Sequence, residues 1–87
     1  MLGRDWRMAM AQKVRQDISI GSTIRSLRIK SGLSQEQVVA KMQLLGCSLS
    51  RSIYSQIEGG TYNIRVSELK ALTIIFHTDY NSFFQDL

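Results

Sequence analysis

The sequence predicts an all-α fold. Three observations carry that expectation. Apolar residues recur at spacings of three and four along most of the chain, proline is absent, and Gly32, Gly46 and the Gly59–Gly60 pair stand where these stretches end. The 87 residues make one domain, too short for a doubly wound sheet or a barrel enzyme.

Residues 2–18 open the chain with Leu2, Trp6, Met10, Val14 and Ile18 at a strict spacing of four. Such residues line one helix face, so residues 1–18 are read as an N-terminal amphipathic helix ahead of the domain at 19–87. Asp17, Ser19 and Gly21 make a break. The next helix spans about 20–31, with Ile20, Ile24 and Leu27 inward, Arg25, Arg28 and Lys30 outward, and Gly32 as its left-handed stop.

Ser34 and Gln37 have capping-box spacing and open another helix. In it Val38, Val39, Met42 and Leu45 are apolar, and Gly46 ends it. Ser50 caps the helix at 51–58. Ile53, Tyr54 and Ile57 form its inward stripe. Its other face is Arg51, Ser52, Ser55 and Gln56, polar and compact with one formal charge. Residues 61–65 read as a loop. Ser67 reads as the cap of a following helix with Glu68 in its first turn and Leu69, Leu72, Thr73 and Phe76 inward. His77 ends that helix at a position where a left-handed residue is common. Asp79 caps a short last helix that places Tyr80, Phe83 and Phe84.

Charge is uneven. The first thirty residues carry a net +5 and the remaining 57 a net −1. A basic half on a small domain suggests a polyanionic partner. One cysteine and one histidine allow neither an intrachain disulfide nor an ordinary zinc site, so no metal and no cofactor is expected. Cys47 reads as a small filler in a turn. The same inventory offers no nucleophile–base pair and no phosphate loop, which argues against an enzyme and against a small-molecule substrate. There is no apolar run of membrane-spanning length and no signal-peptide pattern, so a cytoplasmic protein without membrane contact is expected.

Ile24-Arg25-Ser26-Leu27-Arg28, Gly32-Leu33-Ser34-Gln35-Glu36-Gln37, the run from Ser50 to Gly60 and the ending Asp79-Tyr80-Asn81-Ser82-Phe83-Phe84 resemble the DNA-binding domain of the phage repressor and Cro family, also called XRE-like. The resemblance covers about three quarters of the chain. It implies a five-helix repressor-like domain with a central helix-turn-helix, here 35–45 and 51–58, the second helix lying in the major groove of double-stranded DNA. The connection between the two is longer than in the shortest members, which suggests an extra turn before Gly46.

Arg51, Ser52, Ser55 and Gln56 are then the expected base contacts, because Arg forks onto guanine, Gln onto adenine and Ser onto either. Ser34, Gln35 and Ser50, at helix N-termini, and Thr61, Tyr62, Asn63 and Arg65, after the recognition helix, are the expected DNA backbone contacts. Glu58 would be repelled by phosphate, so it is expected to turn away and pair with an arginine of the Arg25–Arg28 helix. The function implied is a transcriptional regulator of repressor type acting as a homodimer. The alternative is a protein-interaction module on the same fold, as in antitoxin-like partner binding.

Overall fold

Among the described residues, four α-helices, one two-residue strand pair and a closing turn make up the fold. A computed structural model of the protein describes residues 13–14 and 20–84. In chain order the elements are β1 (Lys13–Val14), α1 (Gly21–Lys30), α2 (Gln35–Leu44), α3 (Arg51–Gly59), β2 (Ile64–Arg65), α4 (Val66–Ile75) and a 3₁₀ turn (Tyr80–Phe83).

Local chemistry sets most helix ends. Ser34 Oγ accepts from Gln37 N at 3.1 Å while Gln37 Oε1 accepts from Ser34 N at 2.8 Å, a complete capping box that starts α2. Ser50 Oγ accepts from Ile53 N at 3.2 Å and starts α3. All four α-helices stop by the same device. One or two residues past the last helical residue the chain turns left-handed, and two amides bond back into the last turn. In α2, Gly46 N donates to Gln43 O and Cys47 N to Met42 O. Gly32, Gly46 and Gly60 supply positive φ angles for α1, α2 and α3, and His77 does so for α4 with φ 53°.

The core lies where the four helices and the closing turn meet. Ile24 of α1, Val38 and Met42 of α2, Tyr54 and Ile57 of α3, and Leu69 and Leu72 of α4 are fully buried, with Ile64 of β2 and Phe83 of the turn. Each aliphatic side chain so buried is worth about 1.5–3 kcal/mol. Leu27 and Ile53 are half-buried at the edge.

Several expectations change. The described residues hold four α-helices rather than five. Only four residues follow the Asp79 cap before Phe84, and the segment closes with three-residue spans, Ser82 N to Asp79 O and Phe84 N to Asn81 O. That is one 3₁₀ turn, too short to propagate as an α-helix. Lys13–Val14, inside the stretch read as a helix, is a strand. Its backbone pairs antiparallel with Ile64–Arg65, and that distant partner outweighs local spacing. The remainder of residues 1–18 lies outside the described residues. The 61–65 loop correspondingly ends in β2. Ser67 is not the cap of α4. The cap position is Arg65, whose N–H donates to the buried Glu68 carboxylate at 2.8 Å. Leu45 is 45% exposed, because α2 ends at Leu44 and the chain turns away.

Gly21 sits at the closest approach of α1 to the end of α3. A β-carbon there would lie 2.6 Å from both Ile57 O and Glu58 O. Those are backbone atoms and cannot swing aside. Gly21→Ala is therefore expected to destabilise the domain by about 1–3 kcal/mol, read as a lower denaturant midpoint with an unchanged slope.

Candidate nucleic-acid interface

The α3 helix presents two unlike faces. Tyr54 and Ile57 enter the core, while Arg51, Ser52, Ser55 and Gln56 are exposed on the other side. Among the described residues, the side chains of these four make no hydrogen bond or ion pair with the rest of the protein. Together with Gln35, from the first turn of α2, they line one open concavity. Four predicted base-contact residues and one predicted backbone-contact residue thus converge.

A polar network fastens α3 from below. Arg28 Nε donates to Glu58 Oε2 at 2.6 Å and Arg28 Nη2 to Glu58 Oε1 at 3.2 Å, a fork-to-fork pair. Arg28 Nη1 also donates to Leu33 O at 3.0 Å, and Gln35 Nε2 donates to Glu58 Oε1 at 3.0 Å. One carboxylate therefore ties α1, the start of α2 and the end of α3. As expected from its sequence position, Glu58 turns inward to an arginine of α1. Its side chain is only 4% exposed.

Burial opposes ionisation of Glu58, but the hydrogen bonds and charge of Arg28, together with the Gln35 amide, outweigh it and hold the carboxyl below its ordinary range. The bond to Glu58 in turn keeps the Arg28 guanidinium protonated beyond an ordinary arginine. Tyr54 Oη is buried with no partner in hydrogen-bond geometry. Burial first, and then the neighbouring Glu58, push its phenol far above the usual value.

The remaining predicted backbone contacts lie at helix starts or beyond α3. Ser34 and Ser50 are exposed caps. Each uses its oxygen as an acceptor, which leaves the hydroxyl proton to donate. Thr61, Asn63 and Arg65 are exposed past the C-terminal end of α3, away from the concavity lining. Tyr62 is half-buried, and its hydroxyl donates to Glu68 Oε2 at 3.2 Å. Burial and the Glu68 charge raise the Tyr62 phenol. Glu68 thus holds the segment leaving α3 through one side chain and one backbone amide. The sequence marks it only as a first-turn acid. A capping-box spacing from position 65 to 68 is present but disguised, since arginine is not a usual cap. Gly21 is likewise legible only once α3 is seen lying against it.

Cys47 is buried in the connection after α2, its Sγ 3.8 Å from Ser67 O. Burial, and then the Glu68 charge, push its thiol up, which makes it a weak nucleophile. Among the described residues there is no cluster of metal-ligating side chains, and no helix is long and apolar enough to cross a membrane.

A family model described as a helix-turn-helix domain matches residues 19–79. It spans α1 to α4, with α2 and α3 as the paired helices of such a motif. Helix-turn-helix pairs are DNA-binding units, the second helix entering the major groove. Searches among curated proteins and among solved structures returned no match.

Proposed function

The chain belongs to the helix-turn-helix domain family, and from that premise we propose that it is a sequence-specific regulator of transcription, of repressor type, that binds double-stranded DNA through α3. The observation that carries the reading is the exposed face of Arg51, Ser52, Ser55 and Gln56. These are four hydrogen-bonding side chains with no internal partner among the described residues, mounted on a helix fixed from beneath.

In this reading Arg51 and Gln56 contact base edges with Ser52 and Ser55 between them. Ser34, Gln35 and Ser50 at helix starts, and Thr61, Tyr62, Asn63 and Arg65 after α3, meet the backbone. The domain is 19–87, preceded by the segment 1–18, and the protein acts in the cytoplasm as a binding module rather than an enzyme. Two half-sites read by a symmetric homodimer would supply the specificity one short helix lacks.

The test is a duplex-binding titration at several salt concentrations, for the wild type and two variants. Arg51→Ala should cost about 1–3 kcal/mol on the preferred site and relax the preference at one position. Arg65→Ala should weaken all duplexes about equally and reduce the salt slope by about one. Identical specificity profiles for wild type and Arg51→Ala would refute the assignment of Arg51. A wild type whose binding to duplex does not respond to salt would instead favour a protein-interaction module.

A further inference from the structure

Tyr54 is fully buried, yet its hydroxyl has no hydrogen-bond partner among the described residues. A polar group held so gives up its water contacts and gains nothing in return. Burial, and then Glu58, hold the phenol far above its usual value. It therefore keeps its proton and stands ready to donate.

The acceptor beside it is already engaged. Tyr54 and Glu58 are four residues apart on α3, the spacing that makes side chains neighbours on a helix. Both are turned to the inside, Tyr54 into the core and Glu58 to Arg28. Glu58 Oε2 accepts from Arg28 Nε, and Oε1 accepts from Arg28 Nη2 and Gln35 Nε2, three donors in all. Arg28 is held a further way, by its bond to Leu33 O. Gln35 is not. The bond to Glu58 is the one hydrogen bond its side chain makes among the described residues, and Gln35 also lines the concavity beside α3.

Gln35 thus stands between two acceptors. An amide side chain donates only through its nitrogen. A phosphate at the concavity draws outward the same Nε2 that Gln35 spends on Glu58. We propose that Tyr54 is a positioning residue for duplex binding, its hydroxyl replacing Gln35 on Glu58 when the Gln35 amide turns out to a backbone phosphate. Tyr54 touches no DNA in this exchange. Glu58 keeps three donors throughout, Gln35 trades a carboxylate for a phosphate, and the buried hydroxyl gains the partner it lacks in the free chain. The inference rests on the DNA-binding reading of α3, and adds to it a hydrogen-bond exchange beneath the reading face.

The full-length chain tests it as wild type, Tyr54→Phe, Gln35→Ala and the double variant. Denaturant midpoints are measured without DNA. Affinity is measured for a duplex that the wild type selects from a random pool. In the free chain Tyr54→Phe should raise the midpoint, because it deletes a hydroxyl without deleting a bond. In the Gln35→Ala background the same change should lower the midpoint, because there Tyr54 already holds Glu58. Tyr54→Phe should weaken duplex binding about tenfold, the worth of one hydrogen bond to a charged group, and leave base preference unchanged. Once Gln35 is alanine, Tyr54→Phe should leave affinity as it is.

A tyrosine that only filled the core would give neither the reversal of sign nor the dependence on Gln35. A midpoint that Tyr54→Phe moves in the same direction in both backgrounds would show that the two donors do not compete for Glu58, and would overturn the exchange. An affinity that Tyr54→Phe leaves unchanged, or lowers by the same factor with and without Gln35, would also overturn it and leave the role of α3 standing. A wild type without salt-dependent duplex binding would overturn both readings.

Discussion

Glu58→Ala is expected to destabilise the domain by about 3–5 kcal/mol. A domain of this kind is held by about 5–15 kcal/mol in total, so much of the variant would be unfolded near body temperature. The cause is what remains behind. Arg28 keeps its charge in a half-buried site, and Gln35 loses the acceptor that orients its amide. A double variant, Arg28→Met with Glu58→Met, should recover part of the loss, because removing both charges abolishes the uncompensated one. Leu33 O still loses its donor in that variant, so recovery should be incomplete.

The same residue gives stability a pH dependence. The folded carboxyl titrates below its ordinary value of 4.5. Its contribution is complete above that value and is lost as pH falls through it toward the folded one. Melting temperatures recorded at pH 7, 5 and 3.5 should be similar at the first two and lower at the third, and Glu58→Gln should flatten that acid step.

Phe83→Ala is the second large effect, again about 3–5 kcal/mol. The 3₁₀ turn touches both α1 and α4, and Phe83 is the side chain it buries. Removing the ring opens a cavity where the turn meets these two helices. Tyr80, one turn earlier, is exposed, and Tyr80→Ala should change stability by no more than about 0.5 kcal/mol. Chemical denaturation of the two variants side by side checks the contrast. Equal losses would mean that the turn, rather than the ring, holds this end of the fold.

What the sequence disclosed about this fold was local. Ser34 with Gln37, Ser50 and Asp79 announce helix starts because their side chains bond amides within three residues. Gly32, Gly46, Gly60 and His77 announce helix stops because each takes a left-handed backbone. Glu58 was legible by elimination, since a carboxylate on a face meant for phosphate has to find an arginine. What stayed hidden depends on partners far along the chain. The strand at 13–14 needs Ile64–Arg65, some fifty residues away, while the four-residue spacing of the apolar residues points locally to a helix. Arg65 is a helix cap only because Glu68 is buried and reaches back. Gly21 reads as a linker residue until the carbonyls of Ile57 and Glu58 are found against it. Within the candidate site, the outward face of α3 follows from helical periodicity alone. The tie from Gln35 to Glu58 does not, because it joins residues 23 apart.

The way α3 is mounted has a consequence for how this surface could change. Among the described residues, the side chains that fasten the helix are those of Ser50, Ile53, Tyr54, Ile57 and Glu58, with Gly60 as its stop, and none is that of Arg51, Ser52, Ser55 or Gln56. Support and message are written in separate letters. The four outward positions can be rewritten together, as a cassette, without loosening the frame that carries them. Divergence to a new target would then proceed at a few interchangeable positions, with the stabilising residues left as a constant backdrop.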